Sequence, residues 1–238
     1  MAAAILLLVP APLLAQFAHP ELKSGSRHVQ KLMIMPIQVQ LTKLGMKGSE
    51  LMTEESMQAQ KSLTPVLAGI FRQQGYRVDE ATVSPAALET DADLRYTVDD
   101  LQKKFDDVLK IMKHKAGDVR KGRFSLGDNV TKLAAGENVD ALLFVRASGR
   151  LLTGGRKAYS LLVNPLCWDN ITMYIGLVDA QTGNVLYFAV PQWLPNPASD
   201  PAHSAKSVRE AFKNFFKASP ASAAPSKTQA QSTTPADL

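Results

Sequence analysis

Cysteine is nearly missing from this sequence. With one residue of that type, Cys167, among 238, an internal disulfide framework is excluded and the fold must rest on its apolar core. The four histidines, His19, His28, His114 and His203, stand in four separate segments. None has a Cys, His or carboxylate at ligand spacing on a common face, so no metal site is expected. A Gly-x-Ser-x-Gly elbow is absent. So is the Gly-Lys-Ser/Thr ending of a phosphate loop: SGRLLTGGRK (148–157) comes nearest, but no helix follows it, and Gly154-Gly155 reads as a hairpin turn. No cofactor is expected. No apolar run reaches the roughly 20 residues that cross a bilayer, and no internal repeat is evident.

What is present begins with an uncharged opening. MAAAILLLVPAPLLA (1–15) holds a short apolar run at 2–9, then Pro10 and Pro12. This is the pattern of a secretory signal cut after Ala15, although Leu13 stands where a small residue is usual. A periplasmic or secreted bacterial product is therefore expected. The cleavage point carries no cysteine, so lipid attachment of the bacterial lipoprotein type has no acceptor there. Because the leader is uncharged, the formal net charge of +5 belongs to the mature chain. That excess favours acidic surfaces such as anionic lipid head groups, lipopolysaccharide or wall polymers.

Periodicity supplies the elements. LMIMPIQVQL (32–41) alternates, placing Met33, Met35, Ile37, Val39 and Leu41 on one face of a strand with an irregularity at Pro36. From 53 to 74 apolar residues recur at helical spacing, with Pro65 expected to kink or split the helix and Gly75 to stop it. A short strand is expected at 77–83, a loop with room for a turn of helix at 85–93, and an amphipathic helix from Thr97 to before Gly117. A further helix should be capped by Asp128 and end at Gly136. VDALLFVRASG (139–149) suits a central strand covered on both faces. Strands at 157–163, 171–179 and 184–190 follow, then a closing helix capped by Ser199 or Asp200 with Pro201 in its first turn. The last stretch, 218–238, lacks large apolar residues except its final leucine and should be disordered.

Two clusters invite a chemical reading. Asp179-Ala180-Gln181-Thr182-Gly183 could suggest a nucleophile, but it bridges two strands and has no partner carboxylate motif, so it reads as a turn held by Asp179 with Gly183 at positive φ. Arg146, Arg150 and Arg156 are the candidate binding residues. Arg146 stands where the apolar run of its strand finishes, and three guanidinium groups at such an end could hold a carboxylate or phosphate. The stretch 103–123 has eight Lys or Arg and three Asp, but its Phe and Met fall on the buried stripe of a helix. It therefore lacks the exposed stacking platforms of a nucleic-acid binder, and no nucleic acid is expected.

The order of elements resembles the α/β domain of bacterial envelope proteins related to the TolB N-terminal domain and to CsgG. The resemblance is carried by LMIMPIQVQ, the helix ending at Gly75-Tyr76, VDALLFVRASG and LVDAQTGNVLYFAV. It implies an interaction role rather than catalysis. The expectation is thus an α/β fold with a single mixed sheet of about five or six strands flanked by helices. The signal occupies 1–15, a linker 16–27, one domain 28–217 and a tail 218–238. The expected function is a non-enzymatic exported protein that binds a protein partner or an anionic envelope component. The alternative is an exported hydrolase whose site gathers Asp140, Asp169, Asp179 and His203.

Overall fold

The computed structural model describes residues 15–45, 48–152, 170–191 and 201–221. The readings at 1–14, 157–163, Gly154-Gly155, Arg156, Cys167, Asp169, Ser199, Asp200 and 222–238 lie outside those residues. Within them the fold is mixed α/β, an open sheet between two layers of helices. The strands are β1 (Ala15–Ala18), β2 (Lys31–Ile34), β3 (Gln38–Gly45), β4 (Gly48–Leu51), β5 (Arg77–Asp79), β6 (Ala141–Leu152), β7 (Asn170–Asp179) and β8 (Val185–Val190). The helices are α1 (Pro20–Ser24), α2 (Thr53–Gln73), α3 (Pro85–Thr90), α4 (Ala92–Lys115), α5 (Asn129–Ala135) and α6 (Pro201–Ala218), with a 3-10 turn at Ala116–Lys121.

The sheet order is β1-β8-β7-β6-β2-β5, with β3 alongside β6 beyond the end of β2 and β4 outside β3. Eight strands replace the expected five or six for two reasons. One expected strand is split in two, and the short strands at the start of the chain and in the β3–β4 hairpin carry too few residues to show alternation. Parallel pairing joins β2 to β5 and to β6, while β6, β7, β8 and β1 run antiparallel in turn.

The split lies at Pro36. Ile34 pairs with Leu143 and Gln38 with Arg146, so three residues, Met35 to Ile37, stand opposite two on β6. One extra residue reverses the side-chain alternation downstream. Met33 and Met35 enter the core beneath α4, whereas Ile37, Val39 and Leu41 enter the core beneath α2 and α6. The expected single face is thus two faces. Pro36 is tolerated because the irregular position asks no ladder donor of it, and its carbonyl accepts from Gln102 Nε2 at 2.8 Å.

Further elements also depart from the sequence reading. Residues 16–27 are no linker: β1 covers the outer edge of β8, and Gln16 is held by Tyr187 Oη at 2.9 Å and by the carbonyl of Glu210 at 2.8 Å. Helix α2 runs unbroken through Pro65 because Leu63, Leu67, Ile70 and Phe71 are buried on both sides of it. The loop expected at 85–93 is helical, with Ser84 capping α3 and Asp91 capping α4. Strand β5 stops at Asp79, whose carboxylate accepts from the amides of Ala81 and Thr82 and bends the chain away. Asp128 precedes α5 but its side chain caps nothing; instead Asn129 Nδ2 donates to Asp100 Oδ2 at 2.7 Å, joining α5 to α4. The Lys104 ammonium, and after it that bond, hold the Asp100 carboxyl below its ordinary range.

The domain also extends past Lys217. Ser219 is fully buried, its hydroxyl accepting from the Val29 amide at 2.9 Å and its carbonyl from Tyr76 Oη. Beside it Phe71, Tyr76, Phe212, Phe215 and Phe216 pack edge-on and stacked, with centroids 4.8–6.1 Å apart. Burial pushes the Tyr76 and Tyr187 phenols well above their usual range. Replacing Ser219 with alanine should cost about 1–3 kcal/mol, because the Val29 amide loses its partner in a dry site. Urea unfolding measures this, and Pro220→Ala is the control expected to change little.

Candidate functional site

On the face beneath α2 and α6, strands β3, β6 and β7 present Val39, Leu41, Ala147, Ile171 and Met173, all buried. Their opposite face divides. Near the start of β6, Leu142 and Phe144 lie under α4. Farther along, the same parity places Gln38, Gln40 and Thr42 on β3, Arg146, Ser148 and Arg150 on β6, and Thr172 and Tyr174 on β7. The result is a polar ledge on a sheet whose other side is apolar.

Topology puts an opening at the head of this ledge. From β2 the chain reaches β5 on one side by way of α2, then crosses to β6 on the other side by way of α4, on the opposite face. The carboxyl end of β2 is therefore a switch point, the usual place for a ligand crevice in such sheets. The recess lined by that end, Ile34 to Ile37, is about 270 Å³; farther along, on the ledge, lies one of about 540 Å³, lined by Gln38, Gln40, Arg146 and Tyr174 of the sheet, Gln60 of α2, and Asp106 and Lys113 of α4. Contiguous along the ledge is a second recess of about 440 Å³, lined by Gln40, Thr42, Ser148, Gly149, Arg150 and Thr172.

The three candidate arginines fare differently. Arg146 is not at a strand end, because β6 continues to Leu152. It is largely committed to structure: Nε donates to Asp106 at 2.5 Å, and the two terminal nitrogens donate to the side chain and carbonyl of Gln102 at 2.6 and 3.0 Å. Since Gln102 in turn holds the Pro36 carbonyl, Arg146 fastens α4 to the bulge. Arg150 stands on the same face, exposed, and among the described residues no carboxylate is paired with it. Arg156 lies outside them. Lys113 completes the positive lining, its ammonium 4.5 Å above the Tyr174 ring, a contact that leaves its charge in place.

The polar ledge residues were missed as site residues, although the signal was present in QVQLT and RASGR. There, polar side chains alternate with buried apolar ones, whereas a strand covered on both faces reads apolar throughout. Lys113 was hidden among the other charges of α4.

Of the hydrolase set, the described residues are Asp140, Asp179 and His203. Asp140 and Asp179 lie at the other end of β6, and neither lines the recesses described. Asp140 Oδ2 accepts from the amides of Gln30 and Lys31 at 2.8 and 2.9 Å. Asp179 Oδ1 accepts from Arg27 and from the Gln181 amide, both at 2.9 Å. Asp179 is thus the turn residue expected, and Gly183 has φ 70°, where an added Cβ would meet the Gly127 carbonyl oxygen at 2.5 Å. His203 is exposed on α6, and Asp169 lies outside the described residues. Among the described residues no three His, Cys, Asp or Glu side chains could hold a metal ion together, and no helix is long and apolar enough to cross a membrane.

No family model matches the chain, and no curated protein matches it. Among solved structures it is similar to the PelC dodecamer from Paraburkholderia phytofirmans in two crystal forms, one of them of a singly substituted variant. The identity is 12% in both, the alignment covers 87% of this chain and 98% or 96% of the other, and the TM-score is 0.35. At that score the shared geometry is too slight to bear on function.

Proposed function

We propose that the protein is a non-enzymatic exported envelope protein of a bacterium, and that it binds an anionic envelope component through its polar sheet ledge. The observation that carries this reading is the ledge itself. Two adjoining recesses open onto a sheet face where Arg150 and a set of neutral donors stand in one layer, with Lys113 of α4 over Tyr174 and Asp106 turned toward Arg146. The leader-like opening, the positive balance of the mature chain and the resemblance to TolB N-terminal and CsgG-type domains agree with it. A hydrolase is disfavoured because Asp140 and Asp179 hold backbone amides. The charge of the ledge favours an anionic component over a neutral protein surface.

The test is cosedimentation of the mature chain with envelope fractions at low and high salt. Binding at low salt that weakens as salt rises is expected, since exposed charges are screened. No binding at low salt would overturn the reading, as would ester or phosphate hydrolysis by the purified chain that disappears in Asp140→Asn.

A further inference from the structure

We infer that the recess around Arg150 is a subsite for a phosphate group, an inference that rests on the binding reading above and deepens it. The ledge carries two cross-strand rows of donors. Gln40, Ser148 and Thr172 stand in register across β3, β6 and β7, and Thr42 stands directly opposite Arg150 in the next row. Neighbouring strands are about 4.8 Å apart, so the first row spans about 10 Å and a single small anion seated beside Arg150 is within reach of several of its members.

The chemistry of the lining selects among anions. Among the described residues its side-chain polar groups are one guanidinium, three hydroxyls and one carboxamide, and no carboxylate. A planar carboxylate is satisfied by the fork of an arginine alone. A phosphate monoester offers three terminal oxygens pointing in different directions, and donors arriving from three strands on several sides of a guanidinium suit that tetrahedral shape better. The volume of about 440 Å³ also leaves room for the group that carries the phosphate.

The electrostatics localise the site. Arg146, two residue pairs along the same strand, is bonded to Asp106, so its charge is offset. Arg150 has no such neighbour among the described residues. Among the described residues Arg150 is therefore the cation of the ledge strands with no carboxylate beside it, and Lys113 lines the far end of the adjoining recess. The guanidinium is exposed, so it needs no structural partner to be stable and can exchange water for a ligand.

A phosphate monoester could reach this recess on a lipid head group or as a soluble ester. Titration of the full mature chain with inorganic phosphate, with glycerol phosphate, and with phosphatidylcholine vesicles with or without phosphatidic acid separates these sources. Saturable binding of at least one phosphate monoester probe is expected, with Arg150→Gln weakening it about tenfold or more. Ser148→Ala should weaken it less. Lys206→Gln, the same charge change on exposed α6, should leave it within about twofold. Preference for vesicles identifies a head group and equal binding of glycerol phosphate a soluble ester; each supports the subsite. Two results overturn it: equal losses in Arg150→Gln and Lys206→Gln, which would mark diffuse charge attraction, or binding of envelope fractions with no response to any phosphate probe. The second leaves the broader reading standing, whereas loss of envelope binding itself removes both. Arg150→Gln should keep the wild-type circular dichroism and unfolding midpoint, so a change in binding is not a change in fold.

Discussion

Replacing Asp179 with alanine is expected to destabilise the protein by about 3–5 kcal/mol, the range found when one partner of a buried ion pair is removed. The Asp179 side chain is 2% exposed and that of Arg27 16%. Without the carboxylate, Arg27 keeps a bond to the Asp140 carbonyl at 3.0 Å, but its charge is left uncompensated in a largely covered site where its Nε already has no partner. The Gln181 amide loses its acceptor as well. Set against a total stability of about 5–15 kcal/mol, the loss is large. Urea denaturation should show a lower midpoint with an unchanged slope. Arg27→Met with Asp179→Asn should recover part of the loss, because no charge then remains buried and the asparagine oxygen still receives Gln181. An alanine variant as stable as the parent would contradict the turn-locking role.

The second large effect is expected at the contact between α4 and the sheet. Phe105 stacks on Phe144 with centroids 4.8 Å apart and planes 19° from parallel, and it lies over Gly176 on β7. A Cβ added at Gly176 would stand 2.4 Å from Phe105 Cε2. Phe105→Ala should cost about 3–5 kcal/mol through lost burial and the cavity left behind, and Gly176→Ala about 1–3 kcal/mol through overpacking. The two positions touch, so their effects should not add. In a Phe105→Leu background the Gly176→Ala penalty should fall by more than half. Thermal unfolding of the four combinations decides this: strict additivity would show that the ring and the glycine are not coupled.

That contact illustrates where the sequence was legible. The stripe Val98, Leu101, Phe105, Val108, Leu109 and Met112 is explicit in the spacing of α4, and all but the half-buried Val108 are buried. The run from Ala141 to Val145 is apolar without alternation and is indeed covered on both faces. The Asp179 turn could be read because its chemistry is local. What could not be read depends on partners distant in sequence. Gln16 and Phe17 carry no strand pattern of their own; β1 exists because β8, more than 150 residues away, offers an edge. Ser219 looked like the start of a featureless tail, and only Val29 and Tyr76 make it part of the interior. For the site, the arginines were visible as residue types, but the Asp106 and Gln102 partners that distinguish Arg146 from Arg150 come from a helix about 40 residues earlier.

The extra residue at Pro36 decides which way the following strand faces. Shortening the chain by one residue between Ile34 and Gln38 would hardly change composition or charge, yet β3 could then keep its place beside β6 only by rolling over. Gln38, Gln40 and Thr42 would be pressed against the underside of α2, and Ile37, Val39 and Leu41 would lie bare to water beside Arg150, an oily stripe in place of a wettable one. The character of the ledge is therefore encoded partly in a count of backbone units upstream, which a comparison of residue types alone would pass over.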